Sequence, residues 1–274
     1  MEHSRERETA MKVKKENVSI RRIMKQHRIP LTDAQQRYLR QKRCFDVVIA
    51  AMALVVLAVP FAAVALLQKL SSPTEPVFFR QKRVGQDSHV FYITKFRTMK
   101  STAPKYSATG ELKNADAYIS RLGRFLRDTS IDELPQLFNV LMGDMSLIGP
   151  RPLIRQERSV HFLRRYYGVD QLKPGITGWA QINGRDMLND YDKVFYDREY
   201  LKNVSMAFDA KVFLDTVLKV LGRKDIQEGV QAHHHRDEVR RSQPEQLAQE
   251  KAEKREFMQF QQEAQMVREH RRAM

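Results

Sequence analysis

Two acidic residues stand side by side in the stretch DTSIDELPQLFNVLMGD, residues 128–144, where Asp132 and Glu133 follow shortly after Arg127. One interpretation is a capping box, in which Ser130 and Glu133 satisfy backbone donors at the start of a helix. The other is a reaction centre, because adjacent carboxylates repel each other unless a cation such as Mg²⁺ lies between them. One carboxylate could then attack a phosphorus while the other holds the metal.

Several cationic residues are candidates to bind the phosphate groups of such a reaction. Arg151 lies between the prolines of GPRP, and a guanidinium in a stiff loop loses little entropy when it binds a phosphate. Arg185, in Asn-Gly-Arg, has a similar setting. Lys95 and Arg97 alternate with Phe96 and therefore share one face of a predicted strand, although both could be ordinary surface charges.

The histidines and the cysteine of the chain offer little further chemistry. His233, His234 and His235 could coordinate a metal, but in a polar tail solvated imidazoles are the simpler interpretation. Because Cys44 is the only cysteine, an internal disulfide and a Cys-rich zinc site are excluded, and a reducing compartment is indicated.

The surrounding residues predict the elements that position these groups. Two apolar, β-branched and aromatic stretches around Val84–Asp87 predict a β-hairpin within residues 76–99. Apolar residues at helical spacing predict helices over 118–127, from Ile131 to Gly143, over 153–167 and over 190–221. A glycine-punctuated loop is predicted at 173–186.

Residues 46–70 form an apolar segment, and no charged residue lies between Asp46 and Gln68, which is about the length that crosses a bilayer. Pro60 lies past the middle, and a helix-interior proline leaves the carbonyl of Val56 without its usual donor and bends the helix. Basic residues flank both ends, and such residues tend to stay on the cytoplasmic side. We therefore favour a re-entrant helix over a spanning helix, with a buried core helix as the remaining alternative.

The chain of 274 residues has a formal net charge of +15, which suits nucleic acid, an acidic membrane surface or phosphorylated substrates. Residues 1–43 contain 13 Lys/Arg and 5 Asp/Glu. Nucleic acid is not an expected partner, because no helix-turn-helix, zinc-finger or aromatic RNP pattern is present. An anionic lipid surface is the simpler partner, since each nearby Lys or Arg contributes roughly 1 kcal/mol.

Four ordered motifs together resemble the bacterial sugar transferase family, the monotopic polyprenyl-phosphate phosphoglycosyl transferases. They are KRCFDVVIAAMALVVLAVPF, PVFFRQKRVGQDSHVFYITKFRTM, SIDELPQLFNVLMGDMSLIGPRPL and KPGITGWAQINGR, within residues 40–222. The resemblance implies an α+β, mostly helical monotopic membrane protein with a re-entrant membrane helix, amphipathic interface helices and a small β-hairpin. The long forms of the family carry further membrane helices upstream. Because the first forty residues of this sequence contain no apolar run, the compact form is expected here.

The resemblance also implies roles for individual residues. Asp132 is the expected nucleophile, and Glu133 is the expected ligand of Mg²⁺. Arg127 and Arg151 are expected to contact phosphate or nucleotide, and Pro60 is expected to break the membrane helix. The remaining expected substrate-binding residues are Lys95, Arg97 and Arg185.

The expected reaction transfers a sugar-1-phosphate from a UDP-sugar to polyprenyl (undecaprenyl) phosphate through a phosphoaspartyl intermediate. Such a reaction starts exopolysaccharide, O-antigen or glycoprotein glycan assembly at the bacterial inner membrane, with the catalytic domain facing the cytoplasm. The expected organisation is a basic arm (1–40), a re-entrant helix (41–70), a catalytic domain (71–222) and a charged helical tail (223–274). The sequence leaves the oligomeric state and the sugar open.

A different class of function remains possible, namely a non-catalytic membrane-surface scaffold that binds anionic lipid through its basic segments. In that case the dyad would be a capping box and nothing more. A membrane-tethered nucleic-acid binder is a third alternative, and it predicts steeply salt-dependent binding of random duplex.

Overall fold

The computed structural model describes residues 27–103, 118–184, 188–222 and Arg255. Contacts divide the chain into two units, 1–225 and 226–274, and the first contains every element discussed below. His233–His235, most of the predicted tail and residues 1–26 of the predicted arm lie outside the described residues.

The first helix, α1, runs from Asp33 to Ser71 and is the longest element of the described chain. Thr32 caps it, because its side chain accepts from the backbone N–H of Gln35 while the Gln35 side chain accepts from the backbone N–H of Thr32. Its most apolar 18-residue window has a mean hydropathy of 2.8, and 6% of that window is buried. α1 is thus long and apolar enough to cross a membrane, and it is not a buried core helix.

The helix continues through Pro60 and contains no residue with non-helical backbone angles. The fixed φ of proline, about −65°, is itself helical, so a helix can pass through proline at the cost of one hydrogen bond. The bend expected at Pro60 stays a prediction. The position of α1 in a bilayer stays a prediction.

One stripe of α1 contacts the rest of the unit from end to end. Ala50 is buried, and the Phe61 ring meets the Phe96 ring edge-on with 5.2 Å between centroids. Near the C-terminus of α1, the Gln68 side-chain amide donates to the carbonyl of Arg97 at 2.7 Å. The opposite stripe is apolar and exposed, and includes Phe45, Val48, Ile49, Met52, Val55, Val56, Val59, Leu66, Leu67 and Leu70.

Residues 27–40, which the sequence placed in the basic arm, are part of the folded unit. Arg28 forms an ion pair with Asp170 at 2.8 Å, and the Ile29 backbone N–H donates to the carbonyl of Tyr167 at 3.0 Å. The boundary predicted at residue 40 therefore falls inside α1.

The predicted hairpin is confirmed. Strands β1 (Phe78–Val84) and β2 (Val90–Phe96) pair antiparallel, with Phe78 opposite Phe96 and Val84 opposite Val90. A short 3-10 turn at Gln86–Ser88 connects them. Phe91 and Ile93 of β2 point into a hydrophobic cluster with Ala50 of α1.

A second, two-stranded sheet was not predicted. Strand β3 (Ser146–Ile148) pairs in parallel with β4 (Gly175–Thr177), which lies in the stretch predicted to be a loop. The two backbones approach so closely at Gly149 and Gly175 that an added Cβ on Gly175 would lie 2.1 Å from the Gly149 nitrogen. Three-residue strands rich in glycine carry too little alternating pattern to be recognised from sequence.

The remaining helices form around these strands. They are α2 (Arg121–Asp128), α3 (Gln136–Met142), α4 (Arg158–Tyr167), α5 (Trp179–Ile182), α6 (Asp190–Asn203) and α7 (Met206–Gly222). The helix predicted over 190–221 is thus two helices, separated at Val204–Ser205. α3 ends at Gly143 as predicted, with a left-handed φ of +94°.

The helices within 153–167 and 190–221 were expected to lie in the membrane interface, but they differ in whether their apolar side chains are exposed. The apolar side chains Val160 and Leu163 of α4 are buried, and the buried Arg164 pairs with Asp197 of α6 at 2.7 Å. α4 and α6 therefore pack against each other in the core. In contrast, α7 exposes Met206, Phe213, Leu214, Val217, Leu218 and Val220.

Candidate active site

The acidic dyad lies on a single 3-10 turn, Ile131–Glu133, and not on the first turn of α3. Ser130, immediately before it, has a left-handed backbone with φ +56°, and its side chain makes no capping hydrogen bond. The capping-box interpretation is therefore wrong for this segment. Left-handed backbone at a residue other than glycine is uncommon and concentrates at functional sites.

Glu133 contacts cations that come from two distant segments. The Lys95 ammonium of β2 donates to Glu133 Oε1 at 2.5 Å, and Arg151 Nη1 lies 3.5 Å from the same oxygen. All three side chains are only partly exposed. They line a small cavity of about 10 Å³ together with Gln181 of α5, which is room for about one water molecule.

Asp132 is buried, with 8% of its surface exposed. Burial raises the pKa of this carboxyl above its ordinary value, and the Glu133 charge adds to that effect. Lys95, Arg127 and Arg151 oppose it, since a nearby positive charge favours the carboxylate. Burial also lowers the pKa of Lys95, although the Glu133 charge acts the other way. Burial thus makes Asp132 harder to ionise than an exposed aspartate, and the nearby cations limit that effect. A perturbed carboxyl beside specific charged partners is a candidate functional group.

The structure places the other three predicted cations differently with respect to the dyad. Arg127 lies close enough to influence the Asp132 carboxyl, and its Nε donates to Thr98 Oγ1 at 2.7 Å. Arg97 is not brought to the dyad, because it follows the last residue of β2 and its Nε donates to the carbonyl of Pro76 at 3.0 Å. Arg185 lies outside the described residues.

Asn139 positions the two halves of the site and was not predicted from the sequence. Its side-chain oxygen accepts from the backbone N–H of Thr94 at 3.1 Å, and its amide donates to the carbonyl of Tyr92 at 2.7 Å. These bonds fix β2, which carries Lys95, against α3, which follows the dyad. The available signal was a polar residue in the otherwise apolar pattern of α3.

We expect Asn139→Leu to lower the free energy of unfolding by about 2–4 kcal/mol. The reason is that Asn139 is fully buried and the Thr94 N–H and Tyr92 carbonyl lose their partner, at a cost of about 1–3 kcal/mol for each buried group. Denaturant unfolding of the purified protein measures the change. Met142→Leu is the matched control on the exposed face of the same helix; a similar loss in both variants would contradict the assignment.

The carboxylate oxygens of the dyad are of the kind that binds Mg²⁺. Mg²⁺ prefers oxygen ligands and is commonly held by one or two carboxylates, with water and substrate phosphate completing its shell. Asp132 and Glu133 offer two adjacent carboxylates. The described residues contain no cluster of three or more His, Cys, Asp or Glu side chains that could form an all-protein site. A metal held here would therefore depend on substrate oxygens.

Comparison with protein families identifies the class. The model of the bacterial sugar transferase family matches residues 37–223, which include all but the first turn of α1, both sheets and the acidic dyad. This chain belongs to the bacterial sugar transferase family.

Individual relatives agree with the family assignment. "UDP-glucose:undecaprenyl-phosphate glucose-1-phosphate transferase" of Escherichia coli (strain K12) is 42% identical over 185 residues, 65% of this chain and 39% of the relative. "Undecaprenyl-phosphate galactose phosphotransferase" of Salmonella typhimurium is 38% identical over 213 residues, 70% of this chain and 42% of the relative. The chain thus spans about two fifths of the length of these relatives. "Uncharacterized sugar transferase EpsL" of Bacillus subtilis is 40% identical over 198 residues, 71% of this chain and 92% of the relative.

Proposed function

We propose that this protein transfers a sugar-1-phosphate from a UDP-sugar to undecaprenyl phosphate through a phosphoaspartyl intermediate on Asp132. The observation that carries the proposal is the arrangement of a buried carboxylate beside Glu133, Lys95 and Arg151. The names of the relatives support the two substrates, since they include UDP-glucose and undecaprenyl phosphate.

In the first step an Asp132 oxygen attacks the β-phosphorus of the UDP-sugar. The new bond is an acyl phosphate, and the bond between the β-phosphorus and the bridging oxygen breaks, so UMP leaves with the bonding electron pair. Negative charge grows on the phosphoryl oxygens during the attack, and preorganised cations such as Lys95 and Arg151 stabilise it. Mg²⁺, when bound at Glu133, would neutralise further phosphoryl charge.

In the second step a phosphate oxygen of the polyprenyl phosphate attacks the same phosphorus. The acyl phosphate bond then breaks, which restores the Asp132 carboxylate and forms polyprenyl-diphospho-sugar. Because the pair of steps uses one aspartate twice, the reaction is of the ping-pong type. Each half can be measured without the other substrate.

The exposed apolar surfaces support a location at a membrane, and the chemistry of the proposed substrates is our reason to place the catalytic unit on the cytoplasmic side of the inner membrane. α1 exposes one apolar stripe along its length, and α7 exposes a second. An amphipathic helix with such a stripe lies in the membrane interface and buries its apolar side chains there. A donor that dissolves in the cytosol and an acceptor embedded in lipid can meet at that boundary.

The direct test is release of UMP by purified protein from single UDP-sugars with undecaprenyl phosphate and Mg²⁺. Turnover that needs both substrates supports the proposal, and screening donors one at a time identifies the sugar. A protein that binds anionic vesicles but releases no UMP from any donor would instead be a membrane-surface scaffold.

We expect the rate of the first step to fall at acidic pH and Lys95→Met to move that fall to higher pH. The pKa of Asp132 is raised by burial, and protonation below that pKa removes the nucleophile. Lys95 lowers the pKa of Asp132, so its loss raises that pKa further.

At the pH optimum we expect the rate of the first step in Lys95→Met to be about 10²–10³-fold lower, the usual effect of removing one stabilising charge. The pH profile of UMP release measures both; an unchanged acidic limb in Lys95→Met would contradict the assignment.

A further inference from the structure

A second, larger cavity lies beside the proposed active site. Its volume is about 220 Å³, and its walls come from the hairpin turn, the GPRP segment, α4 and the following 3-10 turn. The apolar part of the wall consists of Val84, Val90, Pro150, Val169, Leu172 and Pro174. The polar part includes Arg155, His161, Arg164, Arg165 and Asp170.

This cavity and the cavity at the dyad share three chain segments. Arg83 lines the dyad cavity, and the next residue, Val84, lines the second cavity. In the second segment, Pro150 lines the second cavity, and the next residue, Arg151, lines the dyad cavity and pairs with Glu133. In the third segment, Pro174 lines the second cavity and the next residue, Gly175, lines the dyad cavity. The two spaces are therefore neighbours, separated by single backbone segments.

Two arginines of the larger cavity are not neutralised within the described chain. Arg164 is held by Asp197, with Nε to Oδ2 at 2.8 Å, and also donates to the carbonyl of Arg151 at 2.8 Å. Asp170 is paired with Arg28. Arg155 and Arg165 form no ion pair among the described residues, and both are exposed. The mouth of the cavity thus carries excess positive charge.

The walls and the volume together define a ligand class. A space with apolar walls and unneutralised arginines suits a flat ring attached to an anionic group. It is smaller than the roughly 300–1,000 Å³ of pockets that hold a whole drug-sized ligand, so it would take only part of a nucleotide sugar. α4 exposes the polar residues Arg158, Ser159 and Arg165, of which Arg165 lines the cavity, and these exposed polar groups favour a water-soluble ligand over a lipid.

We propose that this cavity binds the uridine end of the nucleotide donor, while the diphosphate passes the GPRP segment to reach Asp132. The inference rests on the proposed function. Arg155 and Arg165 donate to oxygens of the nucleotide, and Asp170 offers a carboxylate oxygen to the N–H of the uracil ring. Nucleotide discrimination would then reside in α4 and the turn after it, apart from the residues that perform the transfer.

The test is titration of purified protein with UMP in a calorimeter, together with donor kinetics. We expect Arg155→Met and Arg165→Met each to weaken UMP binding by about tenfold, the usual effect of losing one charge-assisted hydrogen bond. The KM for the UDP-sugar should rise by a similar factor, while kcat at saturating donor stays near that of the unchanged protein. If Arg155 and Arg165 only stabilised the fold, their replacement would not raise KM while leaving kcat unchanged.

Arg158→Met is the matched control, because Arg158 is exposed on the same helix and does not line the cavity. Inorganic phosphate serves as the second probe. Unchanged UMP affinity in both cavity variants would overturn the inference, and so would displacement of UMP by phosphate at equal concentration. If the protein binds UMP through these arginines but never releases UMP from a donor, the proposed function fails while the cavity assignment stands.

Discussion

We expect replacement of Asp132 by asparagine to abolish transfer, with a loss of at least about 10³-fold in kcat, because removal of a nucleophile leaves only the residual effect of binding and charge. Asparagine has nearly the same shape, but its amide oxygen carries no full negative charge and cannot form the acyl phosphate. The side chain is buried and surrounded by cations, so the variant also loses a carboxylate that balances Lys95 and Arg151.

Two measurements separate loss of chemistry from loss of fold. UMP release from donor alone reports the first half-reaction, and mass spectrometry of protein quenched with donor reports the sugar-phosphate on Asp132. Asp128→Asn is the matched control, since Asp128 is exposed four residues earlier and should keep both signals. Ordinary UMP release by Asp132→Asn, in protein with an unchanged unfolding transition, would disprove the assignment of the nucleophile.

Replacing Lys42 by methionine should lower the free energy of unfolding by about 3–5 kcal/mol, the usual cost of leaving buried charge without its partner. The Lys42 ammonium lies 2.6 Å from Asp209 Oδ2 and 3.7 Å from Asp46 Oδ1, and all three side chains are buried. Tyr38 and Tyr200 also donate to Asp209, at 2.5 and 2.6 Å. These bonds join α1 to α6 and α7.

The same network connects α1 to the sheet that precedes the GPRP segment. Asp46 accepts from the Ser146 hydroxyl at 2.8 Å and from the Leu147 backbone N–H at 3.2 Å. Loss of Lys42 should therefore loosen the connection between the apolar helix and the catalytic unit.

Denaturant unfolding in detergent measures the Lys42→Met effect, with Arg40→Met as the control on the exposed face of the same helix. Surface substitutions of this kind usually stay within about 0.5 kcal/mol. If Lys42→Met and Arg40→Met shift stability equally, the buried ion pairs do not hold α1 to the unit. If both variants are stable but only Lys42→Met loses transfer to the lipid acceptor, the network acts on placement of the site.

The sequence alone determined features that depend on neighbouring residues. The hairpin was predictable because its side chains alternate over two adjacent strands. The end of α3 was predictable because Gly143 supplies the left-handed conformation that stops a helix. The two adjacent carboxylates were candidates because they repel each other unless a cation lies between them, and the resemblance to a known family assigned their expected roles. The apolar segment was recognisable from its length.

Only the tertiary structure decided which distant groups meet. It brought Lys95 and Arg151 to Glu133 and directed Arg97 away, although Lys95 and Arg97 look equivalent in sequence. The reason is the local partners of each side chain: Lys95 donates to Glu133, whereas Arg97 donates to the carbonyl of Pro76 and its Nε lies 3.9 Å from Glu75 Oε2.

The capping box and Pro60 show the same limit of local sequence. Ser130-x-x-Glu133 fits a capping box by spacing, but the left-handed backbone at Ser130 and the Lys95 ammonium make Glu133 an ion-pair partner across the site. A proline inside a helix costs one hydrogen bond, yet the α1 helix continues through Pro60 and packs on the unit before it, at Ala50, and after it, at Phe61. Local sequence sets what each residue is able to do, whereas packing energy from residues far apart in the chain selects among those possibilities.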